Sequence, residues 1–143
     1  MDQLFKARLK QLIVSHEDFK NFPYPDSVGK ITIGIGYNLT DRGLPDSWIN
    51  EQFDQDVRYF DKFLAIDFPW YAGLSDARKM VLIDMCFMGY KTFRTFHKML
   101  FALELGNFDK AADEILRSEW ANQVHGRALE NAEIMRSGEY VPK

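Results

Sequence analysis

Cysteine is nearly missing from this 143-residue chain, and the single one, Cys86, excludes an internal disulfide. Long apolar runs are missing too, since no stretch approaches the ~20 residues that a membrane-spanning helix needs. Residues 1–10 carry charges where a secretory signal needs an apolar block, so the expected product is made in the cytosol and stays soluble. There is no internal repeat, no low-complexity tract and no basic run. Lys plus Arg number 18 against 21 Asp plus Glu, a net charge of −3, with the excess acid within residues 51–90. Neutralising phosphates takes clustered Lys and Arg, so no nucleic-acid partner is expected.

What the chain does have is apolar bulk, 46% hydrophobic and 15% aromatic residues. At this length roughly 68% of the unfolded surface can be buried, which suffices for one globular core without metal or disulfide staples.

Periodicity gives the elements. Leu4, Phe5, Leu9, Leu12 and Ile13 recur at helical spacing, Asp2 is placed to cap them, and the pattern fades over residues 15–18. Pro23 and Pro25 then favour extended backbone, Asp26-Ser27-Val28-Gly29 is a turn string, and Ile31, Thr32, Ile33 and Ile35 are strand formers. A small β-hairpin or meander is expected there. Gly34 and Gly36 within it mark a place where a ligand or another backbone approaches the main chain.

Further on, everything reads as helix. Pro45-Asp46-Ser47 opens a long one, with Ile49, Phe53, Val57, Phe60 and Leu64 on one stripe and Glu51, Asp54, Gln55, Arg58 and Asp61 facing out. After Pro69 and Gly73, Ser75 caps a helix that is apolar nearly all round over residues 80–88 except at Asp84, as a helix at the centre of a domain would be. Three more helices fit residues 91–105, 109–118 and 127–136, the first and last ended by Gly106 and Gly138. The class is α+β, dominated by helices.

Polar groups with chemical meaning gather at Glu17, Asp26 and Thr32. Glu17 and Asp26 lie up to ~30 Å apart if the chain is extended, so only a fold-back brings both near one bond, and the proline and turn residues between and after them supply it. Two carboxylates are what glycoside hydrolysis needs, one to protonate the leaving oxygen and one to activate water or attack. On spacing alone, capping and solubility explain a glutamate at a helix end and an aspartate in a turn at least as well.

Thr32 opens a longer string, Thr32-Ile33-Gly34-Ile35-Gly36-Tyr37-Asn38-Leu39-Thr40, and with it the chain resembles the phage T4-type lysozymes, the muramidases of phage endolysins. The resemblance continues through Phe53-Asp54-Gln55-Asp56-Val57, Asp84-Met85-Cys86-Phe87, Met88-Gly89, and Trp120-Ala121-Asn122-Gln123 followed by Arg127. It spans nearly the whole chain.

The resemblance implies one lysozyme-like domain over residues 1–143. A small hairpin lobe (about 13–46) and a larger helical lobe (67–143 with 1–12) would enclose a saccharide cleft, joined by a long helix over 47–66. It implies Glu17 as general acid, Asp26 as the carboxylate on the water side, Thr32 as the group that positions this water, and Arg127 beside Glu17 from the far lobe, orienting it. Gly36, Asn38 and Phe87 would contact sugar. The substrate would be peptidoglycan glycan strands, cut at the β-1,4 bond from N-acetylmuramic acid to N-acetylglucosamine with inversion, without cofactor or metal. A general acid at neutral pH must keep its proton, for which partial burial of Glu17 is the expected cause and bound sugar a further one. A monomer is expected, made in the host cytoplasm and reaching the wall through a holin-type membrane lesion. Two rivals stay open: a lytic transglycosylase, against which Asp26 and Thr32 argue, and a non-catalytic peptidoglycan-binding relative, against which the intact triad argues.

Departures from the family accompany these expectations. Tyr37 stands where a histidine is usual, so a charged pair with Asp56 would become at best a neutral hydrogen bond. The segment over 40–46 is short, an amide residue is absent between Phe87 and Met88, and Glu119 replaces an arginine before Trp120. The net acidity removes the long-range attraction to an anionic wall, so activity should depend on ionic conditions. His16, His97 and His125 share no metal-binding pattern, Cys86 has no base beside it, and Phe93, Phe96 and Phe101 read as core.

Overall fold

The computed structural model describes residues 1–142 and is an α+β fold, helices with one small antiparallel sheet. It divides into two compact units, Met1–Gln52 and the chain from Phe53 on.

In the first unit, α1 (Gln3–Glu17) begins as its sequence predicts, with the Asp2 carboxylate accepting the Phe5 N–H at 2.7 Å. Its last residue is Glu17, and Asp18 caps it by donating its N–H to the Val14 carbonyl. Strands β1 (Lys20–Pro25), β2 (Ile31–Gly34) and β3 (Tyr37–Asn38) then form a sheet in that order. Pro23 and Pro25 fit because β1 is an edge strand, where a missing N–H breaks no central ladder. The register sets Tyr24 opposite Thr32 and Thr32 opposite Asn38, so these three side chains share one face. A single turn of helix, α2 (Leu39–Arg42), follows unannounced by any apolar period.

Helix α3 (Asp46–Asp67) starts where Pro45-Asp46-Ser47 predicts and runs through the boundary between the units. Of its apolar stripe only Leu64 is buried, while Ile49 and Phe53 stay exposed. Whereas the sequence reading groups residues 1–12 with the later helices, the chain's contacts group all of α1 with the sheet. None of its residues is buried.

The second unit holds the core. After a 3-10 turn (Tyr71–Gly73) come α4 (Asp76–Cys86), α5 (Tyr90–Phe93), α6 (His97–Glu104), α7 (Phe108–Arg117), α8 (Glu119–Val124) and α9 (Gly126–Ser137). Ser75 caps α4 as expected, and Val81, Leu82, Met85 and Cys86 on it are buried against Phe93, Met99, Ile115 and Met135. Burial pushes the Cys86 thiol up to about 12, so it is a core side chain and no nucleophile. Phe93 is core as read, but Phe101 is exposed.

The helix expected over 91–105 is broken into α5 and α6. The Thr95 hydroxyl donates to the Thr92 carbonyl at 2.6 Å and the His97 N–H to the Thr95 carbonyl at 2.8 Å, local bonds that replace the helical ladder. Arg78 ties the end of α9 to α4. Its Nε donates to Met135 O at 2.8 Å, its Nη2 to Arg136 O at 3.0 Å, and its guanidinium lies 3.5 Å from the Phe108 ring centre. Among the described residues no helix is long and apolar enough to cross a membrane.

Candidate functional site

The first unit gathers three of the candidate residues on a small frame. Asp26 closes the turn between β1 and β2: its Oδ1 accepts the N–H groups of Val28 at 2.9 Å and Lys30 at 2.8 Å. Its own N–H donates to Lys30 O at 2.8 Å, and the Thr32 hydroxyl donates to that same oxygen at 3.2 Å. Asp26 and Thr32 are thereby tied through one peptide group. This commits Oδ1 to the backbone and leaves Oδ2 as the Asp26 atom for a water. Thr32 is 5% exposed, and with its proton on Lys30 O it offers lone pairs to a neighbour.

Glu17 reaches the same frame from the last turn of α1. The Tyr24 hydroxyl donates to the Glu17 carbonyl at 3.2 Å, which anchors the helix end to β1 directly across from Thr32. At the other side, the Glu17 side chain lies against Gly36 in the turn between β2 and β3. A Cβ added to Gly36 would come within 3.0 Å of Glu17 Cγ, Cδ and Oε2. The chain folds back through an antiparallel sheet after Pro23, Pro25 and the turn residues, and this carries Gly36 to the Glu17 side chain. The partial burial expected for Glu17 is absent: the residue is exposed at the C-terminal end of α1.

Other candidates have different employment. The Asn38 side chain caps α2, its oxygen accepting the Asp41 N–H at 3.0 Å and its amide donating to Asp41 Oδ2 at 2.9 Å. Its first role is thus to hold backbone. The Tyr37 hydroxyl has one proton and gives it to the Gly43 carbonyl, so the hydrogen bond to Asp56 considered from the sequence is replaced by a local one. Tyr37 is held there by the Trp48 ring, 5.0 Å away, and the Arg42 guanidinium, 4.3 Å from its ring centre.

Arg127, in the second unit, grips Asp84. Nε donates to Oδ2 at 3.0 Å and Nη2 to Oδ1 at 2.9 Å and to the Asp84 carbonyl at 2.9 Å, while Asn131 adds a bond to Oδ2 at 2.7 Å. Asp84 of α4 is thus a carboxylate partner of Arg127. Phe87, at the end of α4, is half exposed and packs with Phe53 and Phe60, at 6.2 and 5.4 Å between ring centres.

Two contributors escaped the sequence reading. Lys30 supplies the carbonyl that joins the Asp26 N–H to the Thr32 hydroxyl, and its ammonium meets Asp41 at 2.7 Å, holding that carboxyl below the usual carboxylate range. Tyr24 was readable only as a strand former. Its place opposite Thr32 would have been the signal, had the register been known. Among the described residues no group of three or more His, Cys, Asp or Glu side chains is arranged to hold a metal.

No family model matches this chain, and no curated protein matches it at a significant level. The chemical case therefore stands on the geometry. An exposed carboxyl at the end of α1, a turn carboxylate with one oxygen outside its backbone bonds and a strand hydroxyl are all anchored to one small sheet, residue types suited to proton transfer and to holding a water.

Proposed function

We propose that the protein is a muramidase with a lysozyme-like fold, hydrolysing the β-1,4 bond between N-acetylmuramic acid and N-acetylglucosamine in peptidoglycan. The observation that carries this reading is the frame around Lys30: its carbonyl accepts from both the Asp26 N–H and the Thr32 hydroxyl, and the Glu17 side chain lies against the turn that follows β2. Glu17 donates its proton to the leaving oxygen. Asp26, through Oδ2, takes a proton from water, and Thr32 accepts a hydrogen bond from that water, orienting its lone pair toward the anomeric carbon. Because Glu17 is exposed, bound sugar must supply the desolvation that favours its protonated form. Phage-encoded host lysis is the setting this activity fits, with wall access after a membrane lesion.

The test is clearing of outer-membrane-permeabilised bacteria. The wild-type protein should clear them and Glu17→Gln should not, with a loss of at least about 10²-fold for removal of a general acid. Equal clearing by both would overturn the assignment. Mass spectrometry of the released muropeptides then separates chemistries: reducing muramic acid ends support hydrolysis, and 1,6-anhydro ends support the transglycosylase.

A further inference from the structure

Gly36 occupies a backbone position with φ +66°, and so does Gly34 with φ +69°, two residues earlier. In that conformation any L side chain is strained, so both positions favour glycine for the same local reason. Their surroundings differ. A Cβ at Gly34 would meet nothing within 4 Å, whereas one at Gly36 would come to 3.0 Å of Glu17 Cγ, Cδ and Oε2. Such an approach is closer than Cβ atoms ordinarily make, and the atoms it meets belong to an exposed, rotatable side chain. The carboxyl can therefore swing away at little cost to stability. What it loses is its place.

We infer that Gly36 is a positioning residue for Glu17: its bare Cα is the wall against which the carboxyl rests, and the turn carries glycine there to keep that seat open. This rests on the muramidase reading and goes beyond it, since it replaces the sugar contact expected of Gly36 with a contact to the acid itself. Tyr24 completes the seat from the other side by holding the Glu17 carbonyl at 3.2 Å. Tyr24 holds the main chain of Glu17, and the missing Cβ of Gly36 leaves room for its carboxyl beside the turn. Displacing a reacting group by ~1 Å is enough to lose up to ~10²-fold in rate.

The experiment compares Gly36→Ala with Gly34→Ala on soluble, uncross-linked glycan strands, with reducing ends as the readout. Both variants carry the same backbone strain and should melt at similar temperatures. Gly36→Ala should lose about tenfold or more in kcat with KM within about twofold, while Gly34→Ala keeps its kcat within about threefold. Tyr24→Phe should lower kcat in the same direction. Equal losses in the two glycine variants, or a loss confined to KM, would overturn the inference and leave the muramidase reading standing. A wild-type protein that releases no reducing ends would overturn both. A crystal structure of Gly36→Ala supplies a readout independent of turnover: a Glu17 carboxyl displaced from its present seat supports the inference, and one left in place refutes it.

Discussion

Asp18 has φ 67° and ψ 177°, a region that glycine enters freely and other residues scarcely at all. It follows Glu17 directly, and its N–H closes α1 by donating to the Val14 carbonyl at 2.8 Å. The strain is thus spent at the one point where the chain must leave the helix and turn into β1 without moving the glutamate. Replacing Asp18 by glycine should release ~1–3 kcal/mol of strain, against ~0.5–1 kcal/mol of added freedom in the unfolded chain. A net gain of about 1 kcal/mol is expected, read as a higher urea midpoint with an unchanged slope. A lower midpoint would mean that the Asp18 side chain contributes more than its backbone costs. His125, at φ 33°, repeats the device between α8 and α9, two residues before Arg127.

Helix ends were the part of the fold most legible in the sequence, because caps are local chemistry. Asp2 and Ser75 each hold the first-turn N–H that their position predicts, and α9 stops at Gly138. What was not legible depends on residues serving two neighbours at once. Ser118 ends α7 by backbone and begins α8 by side chain, accepting the Ala121 N–H at 3.2 Å, so one serine hid a whole helix. At the candidate site, Asp26 in its turn could be read from Asp-Ser-Val-Gly. The meeting of Gly36 with Glu17 could not, since two residues far apart in sequence share no period.

Pairs between elements likewise emerge only from packing, and the one joining α7 to α9 is testable. Arg136 Nη2 donates to Asp113 Oδ1 at 2.9 Å, and it holds the Asp113 carboxyl below its ordinary value of 3.8, with Arg117 and Lys110 adding to the effect. A carboxyl depressed in the folded state stabilises the fold above its unfolded pKa, and that contribution disappears as pH falls through the folded one. Asp113→Asn should therefore be less stable than wild type near pH 6 and equal to it near pH 2, with the difference at pH 6 shrinking in about 1 M salt. Urea melts across that range measure it. A difference that persists undiminished at the acid end would show that Asp113 acts through packing instead.

Across the whole molecule, burial is distributed very unevenly. Every buried apolar side chain among the described residues lies between Leu64 and Met135, while within Met1–Gln52 the one buried residue is Thr32. Apolar burial at ~25 cal/mol per Å² is the main force opposing chain entropy, so the second unit carries most of what holds the fold. The first unit is held by hydrogen bonds around Lys30, by the Asn38 cap and by the tilted contact of Tyr37 with Trp48. It carries the candidate chemistry on a weakly buried frame, as mobile functional regions in general are drawn from the less stable parts of a protein. Backbone amides of β1, β2 and β3 should then exchange with deuterium through openings at least about 2 kcal/mol cheaper than those that expose α4, α7 and α9. Core truncation should divide along the same line. Phe93→Ala, at a fully closed site, should cost about 3–5 kcal/mol and deprotect the second unit, and the gap between the two units should narrow accordingly. Equal protection of sheet and core helices in the wild-type protein would mean that the small unit draws its stability from something other than its own buried surface.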